Sequence, residues 1–403
     1  MKIGIIGGGA SGMAAALAAA ENPRAEVTLL ERQARLGRKL QATGNGRCNL
    51  TNLHAGEGGY HGECPEFAKI ALTRFSPEET RDWFRKLGLF TVAEESGRVY
   101  PYSDQANSVV DVLRFALEKP NIRVITGFEA EKVRTCPEGF RVTGSGENLE
   151  FDRLVIACGG LAGTKLGGGM SGYKILRGLG HDCTKLRPAL VQVKTDWKAV
   201  ASLKGVRANC RAEILRNGEV FAASAGELQF TEFGLSGPVM FEISRDVCQG
   251  QGDWQCRLDF LPDCTEAELT GALSEKRSLG QNASELFTGI LHNRLGRVLT
   301  QAARISLNSP LAAVTETEIR EAAKVCKGLC VHLTDPLGMD SAQVTAGGIR
   351  TAQWDSSTME SRLVPGLYAC GEVLDIDGDC GGYNLQWAWA SGRLAGESAG
   401  REL

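Results

Sequence analysis

No stretch of the chain approaches the ~20 consecutive apolar residues of a membrane span, and its first apolar residues are soon broken by glycine, with no basic leader. No membrane partner is expected, and the cytoplasm is the expected compartment. Histidine is scarce: His54, His61, His181, His292 and His332 are the five in 403 residues, and none joins Cys326 and Cys330 in a recognisable ligand set. No metal is expected. A basic excess is also missing, with 45 Lys and Arg against 48 Asp and Glu and a net charge of −3, so the pull toward a polyanion is weak and no nucleic-acid partner is expected. Thirteen cysteines, an odd number without a secretory leader, read as reduced thiols and not as a disulfide framework. No closely spaced cysteine pair flanks the glycine motif described next, so a dithiol mechanism is not expected. Cys48 reads as a small buried hydrophobe.

Glycine is what the chain has in quantity, with 50 residues, and the first of them organise the rest. Ile3 to Ile6 predicts a strand, Gly7-Gly8-Gly9-Ala10-Ser11-Gly12 a tight turn, and the alanine-rich run to Ala20 a helix. Gly7, Gly9 and Gly12 have the G-x-G-x-x-G spacing, in which missing side chains permit the turn, close approach to a pyrophosphate and helix–strand packing. The helix N-terminus then favours anionic oxygen without a basic side chain. Asn22-Pro23 ends the helix, Val27 to Leu30 predicts the second strand, and Glu31 follows 19 residues past Gly12. A carboxylate there can bridge ribose hydroxyls and disfavours a 2′-phosphate, which leaves FAD or NAD and excludes NADP.

Further along, Thr43 to Asn52 is crowded with Gly, Asn and Thr and predicts a ligand-approaching loop, with Gly44, Gly46, Arg47 and Asn49 in reach and Lys39 just before it. Ser76-Pro77-Glu78-Glu79 predicts a capped helix start. Residues 128–158 predict an antiparallel meander that feeds a buried strand and the turn Ala157-Cys158-Gly159-Gly160. The string Gly167 to Gly172 repeats the glycine spacing with no strand immediately before it and no acidic strand end after it, and reads as a loop. Short alternating segments from about 187 to 262 predict a small β domain, and Glu266 to Ile305 and Thr315 to Cys326 predict helices.

A second strand, glycine turn and helix closes the chain: Leu367 to Cys370, then Gly371-Glu372, Asp377 and Gly381-Gly382, then a helix rich in small residues from Trp387 to Ala399. Two helix N-termini facing one extended ligand suit FAD, whose pyrophosphate takes one and whose reduced ring edge takes the other.

Together the stretches Gly7 to Gly12, Gly37 to Asn52, Ile156 to Gly160, Gly226 to Pro238, Thr345 to Gly348, Thr358 to Ser361 and Gly371 to Asn384 resemble one family. It is the HI0933-like flavoproteins, also described as BaiN-like or aminoacetone-oxidase-like FAD enzymes. The resemblance implies an α/β fold with a Rossmann-type FAD-binding domain of the glutathione-reductase kind, interrupted by a β-barrel-like and a helical segment. The FAD-binding domain would take residues 1–186 and 341–403, the β-barrel-like insertion 187–262, the helical insertion 263–326 and the return through the β insertion 327–340. It carries over Ser11, Glu31, Lys39, Val133, Glu372, Asn384 and Leu385 as FAD contacts, with Val133 acting through its backbone near the adenine. Glu372 and Asp377 are both candidates for the ribitol.

The expected activity is an FAD-dependent oxidoreductase moving a hydride between a small or medium organic substrate and the flavin, with NAD(P)H docking transiently or oxygen as the second partner. A pocket between the FAD domain and the insertion would hold the substrate. No residue stands out as general acid or base, and Tyr383, Tyr102 and Arg47 are the candidates. A flavin-dependent nucleic-acid-modifying or RNA-associated protein is the alternative.

Overall fold

Apolar Lys2–Ile6 is the middle strand of a five-stranded parallel sheet in the computed structural model, which describes residues 1–249 and 252–402. The sheet runs Leu367–Ala369, Arg153–Ile156, Lys2–Ile6, Glu26–Glu31, Ile122–Thr126. Ile3 pairs with both Arg153 and Val27, so the central strand is covered on each edge and its isoleucines are buried on both faces. Parallel strands covered in this way need apolar residues on both faces.

The first helix, Ala10–Ala19, is buried along its whole length from Ser11 onward. One side lies on the sheet and another meets the last helix, Tyr383–Gly400, whose Gly392, Gly396 and Gly400 face the Ser11, Ala15 and Ala19 carbonyls. Alanine on one helix and glycine on the other let the two backbones touch. That contact holds the N-terminal and C-terminal glycine turns in one unit.

The last helix also carries a buried polar knot. Gln386 Oε1 accepts from Thr51 Oγ1 at 2.6 Å and from Thr80 Oγ1 at 2.9 Å, while its Nε2 donates to the Phe75 carbonyl at 2.6 Å. Gln386→Leu strands two hydroxyls and a carbonyl away from water, so urea denaturation is expected to show a loss of about 3 kcal/mol.

Two compact units make up the fold, Met1–Arg187 with Ala342–Leu403, and Pro188–Ser341, each with its own hydrophobic core. The second contains a closed six-stranded barrel in the order Val193–Thr195, Gly234–Ser236, Glu219–Phe230, Arg207–Arg216, Trp254–Asp259, Leu329–Pro336. Helices Glu266–Glu275, Asn293–Ala302 and Glu316–Gly328 belong to the same unit.

The helix expected over Glu266 to Ile305 is in fact interrupted. Gly280 and Gly289 take positive φ of 69° and 81°, and Leu286, the one leucine between them, follows the short turn Ala283–Glu285. Conversely, Pro238–Gln249 forms a helix that the turn-punctuated reading of that region missed, although Val239, Met240, Ile243 and Val247 share one face and are buried. The capping box at Ser76 and Glu79 is present as expected. Among the described residues no helix is long and apolar enough to cross a membrane.

Candidate cofactor site

The glycines of the first turn divide by what surrounds them. A side chain on Gly7 would overlap the Ala157 carbonyl, and one on Gly12 the Gly7 carbonyl, so both serve packing of the protein on itself. Gly9 differs, because a Cβ there would meet no protein atom within 4 Å. It is also the N-cap of the first helix, with no side-chain cap and no acid in the first turn. The first-turn N–H groups therefore face a cradle into which an anion can come to backbone distance. Gly159, just past Ala157 at the end of the neighbouring strand, has the same open surroundings.

Glu31 stands at the end of the next strand. Its Oε2 accepts from Gly8 N and its Oε1 from Gln33 N, both at 2.7 Å. These bonds orient the carboxylate beside the turn and leave lone pairs for vicinal hydroxyls. The Glu31 carbonyl accepts from Phe128 N at 3.0 Å, which ties this point to the start of the meander. Val133 follows in strand Ala130–Cys136, buried and paired with Val142.

Residues remote in sequence converge on the other flank. Lys39 Nζ lies 2.8 Å from Glu372 Oε2, and Glu372 Oε1 accepts from Thr345 N at 2.8 Å. A side chain on Gly160 would overlap both Glu372 and Thr345. Gly371 brings the last helix in: its N–H donates to Ser391 Oγ at 2.9 Å, its carbonyl accepts from Trp387 Nε1 at 3.2 Å, and a Cβ there would sit 2.6 Å from Ser11 Oγ.

The second helix N-terminus repeats the logic of the first. Gly382 is its N-cap, with positive φ and no side-chain cap, pressed against the Thr51 carbonyl. Asn384 braces the turn by accepting from Gly378 N at 2.9 Å and donating to Gly378 O at 2.7 Å. Leu385 packs on the core, and Asp377 is buried in the short strand Asp377–Gly378. In the Thr43 to Asn49 loop, Gly44 packs against Asn49, while a Cβ on Gly46 would meet no protein atom within 4 Å. The buried Asn49 Oδ1 has no hydrogen-bond partner among the described residues. Such an orphaned acceptor calls for a ligand donor.

The catalytic candidates separate. Arg47 turns to Asp104 and Glu94 and lies 4.0 Å over the Tyr100 ring, so its charge is consumed on the protein surface. Tyr102 is 75% exposed. Tyr383 does stand at the glycine turn, edge-on to Tyr60 with ring centroids 5.8 Å apart. Burial pushes the Cys48, Cys158 and Cys370 thiols up to about 12, so all three are neutral near pH 7.

The sequence reading missed one polar pair. Strand Tyr60–His61 pairs antiparallel with Asp377–Gly378, and His61 Nε2 lies 2.7 Å from Asp379 Oδ1. The carboxylate of the Asp379-Cys380-Gly381-Gly382 turn was visible as a residue. Its partner, 318 positions away, carried no local signal.

Two uncapped helix N-termini, an oriented strand-end carboxylate, glycine cradles open to a ligand and an orphaned acceptor fit a dinucleotide-type cofactor. The family model of the HI0933-like protein Rossmann domain matches residues 1–398. The 3-dehydro-bile acid delta(4,6)-reductase of Clostridium scindens is 41% identical over 404 residues, covering 99% of this chain and 98% of that protein. The ribosomal RNA dihydrouridine synthase of Escherichia coli is 34% identical over 394 residues, covering 96% and 95%. Among solved structures, 3-ketosteroid delta1-dehydrogenase from Sterolibacterium denitrificans aligns with a TM-score of 0.53 at 13% identity, over 99% of both chains, which shows a shared fold.

Proposed function

The chain belongs to the HI0933-like family and is a flavin-dependent oxidoreductase, and on that premise we propose that it is an FAD-dependent reductase of carbon–carbon double bonds conjugated to a carbonyl group. One observation carries the reaction class. The names of two relatives that each match nearly the whole chain describe reduction of such a bond, one in a 3-oxo steroid skeleton and one in a uracil ring. Bound FAD, when reduced, supplies the hydride for that step.

The chain's residues hold and tune. Gly9 and Gly159 make room for the pyrophosphate beside the first helix N-terminus, and Glu31 takes the adenosine ribose, with the Val133 backbone near the adenine. Lys39 and Glu372 face the ribitol. Glu372 suits that contact better than Asp377, because its side chain is 19% exposed beside Lys39 while Asp377 is buried in its strand. The N-terminus of the last helix, with Asn384 and Leu385, stabilises negative charge at the reduced ring edge. Electrons come from NAD(P)H docking transiently, and thirteen cysteines with no disulfide among the described residues suit a reducing cytoplasm.

The test is anaerobic. NADH and NADPH are added separately to the purified yellow protein, and the enones 2-cyclohexen-1-one and a 4-en-3-one steroid follow. Bleaching by one nicotinamide and recovery of the band on adding an enone is the expected result. Fast reoxidation by oxygen with no response to any enone, after dithionite reduction, would establish an oxidase instead. The E. coli relative favours a second reading, the same reduction carried out on uridine in ribosomal RNA. The net charge of −3 speaks for the small molecule. Dihydrouridine in ribosomal RNA treated with the reduced enzyme, with enones untouched, would decide for RNA.

A further inference from the structure

Reduction of a conjugated double bond needs a proton as well as a hydride. The turn that leads into the last helix has a pair suited to the task. His61 and Asp379 are part exposed, at 39% and 43% of their side chains, and Nε2 is turned to the carboxylate. Nδ1 has no protein partner among the described residues. The pair is built into the backbone: His61 lies opposite Asp377 in the two-stranded ladder, Asp379 N donates to Gly59 O at 2.9 Å, and Asn384 clamps Gly378.

The neighbours leave His61 the task. Tyr60 is half-buried, its phenol donates to the Tyr383 carbonyl at 3.2 Å, and desolvation of that hydroxyl raises its pKa well above the ordinary phenol range. The Tyr383 ring is packed against Tyr60 and Gly59. Glu63, the next charged residue after His61, is paired with Arg350 at 2.6 Å, and its backbone N–H donates to Asp375 at 3.1 Å. Asp377, across the ladder, is buried.

We propose that His61, held by Asp379, is the proton donor to the α carbon of the substrate. The proposal rests on the enone-reductase reading. In the step, the C=C π bond breaks, hydride from the reduced flavin forms a C–H bond at the β carbon, and the proton from His61 Nδ1 forms one at the α carbon. The substrate gains two electrons and the flavin loses two. His61 is left as neutral imidazole, regains its proton from water, and Asp379 stays ionised and fixes the ring orientation.

The test uses the flavin-loaded enzyme and separates the two half-reactions. In His61→Gln, flavin content and bleaching by NAD(P)H stay at the wild-type level, as does reoxidation by 1,4-benzoquinone, which needs no protonation at carbon. Reoxidation by 2-cyclohexen-1-one falls by about 100-fold or more. Asp379→Asn, which keeps the imidazole and loses its orienting charge, falls less, by about 10-fold. Equal losses with quinone and enone, or an enone rate close to wild type, would overturn the proposal while leaving the enone-reductase reading intact. Failure of the wild type to reduce any enone is the separate failure of that reading. A second readout needs no turnover: with five histidines, the His61 imidazole resonance is assigned by its loss in His61→Gln. It is expected to move when cyclohexanone is added to the oxidised holoenzyme, and an unmoved signal places His61 away from the substrate and overturns the assignment.

Discussion

Gly9→Val is expected to give a folded protein that no longer retains flavin. Gly9 has φ −82° and ψ −168°, an extended conformation that a β-branched residue adopts readily, and a Cβ there meets no protein atom within 4 Å. The folded chain therefore loses little beyond a weaker N-cap, about 1 kcal/mol, or a few degrees of melting temperature. The ligand loses much more. Two added methyl groups fill the space in front of the first-turn N–H groups, where a pyrophosphate must come to backbone distance, and flavin affinity is expected to drop by about 100-fold or more. Gly12→Val is the control with the opposite logic, because its side chain would strike the Gly7 carbonyl and the protein would lose fold and flavin together. The ratio of visible to ultraviolet absorbance and the circular dichroism melt, taken on the same preparations, separate the two. Wild-type flavin content in Gly9→Val would mean that the cradle at Gly9 holds something other than the pyrophosphate.

The contrast between these glycines marks the limit of the sequence reading. Gly7, Gly9 and Gly12 were recognisable by spacing, since strand, turn, helix and terminal Glu31 lie within one short stretch and each obeys a local rule. Which glycine is packed on protein and which is left open depends on how the turn meets Ala157, a neighbour only across the sheet. The same division holds elsewhere. The Ser76 capping box is a matter of four residues and could be read directly. Barrel closure, in which Val193 meets Pro336, depends on pairing between distant segments and left only alternating short runs in the sequence. Arg47 is expected within reach of a ligand because it sits in a glycine-rich loop, and in the fold it pairs with Asp104 and Glu94. Gln386 and His61 show the reverse: neither stood out, because their partners Thr51, Thr80 and Asp379 are supplied by a remote strand, helix and turn.

The other large effect is expected from Gly396→Val, on the face where the last helix meets the first. Gly392, Gly396 and Gly400 are spaced by four, as are Ser11, Ala15 and Ala19, so each set forms one stripe and the two stripes meet backbone to backbone. A Cβ at 396 would overlap the Ala15 carbonyl, which belongs to a buried helix and cannot swing away as a side chain could. Relief requires the helices to separate, and the loss of stability is expected to reach about 4 kcal/mol. Gly400→Ala, near the helix end with 2.9 Å to the Ala19 carbonyl, is expected to cost less. The consequence extends to the cofactor, because Ser391 and Trp387 on the same helix hold both backbone groups of Gly371, next to Glu372. A separated helix moves the Gly371 turn away from Ser11, so any Gly396→Val protein that does fold should bind flavin weakly. Denaturation midpoints with and without added FAD test both parts. A variant within about 1 kcal/mol of wild type, with normal stabilisation by FAD, would show that the helix contact is softer than its geometry implies.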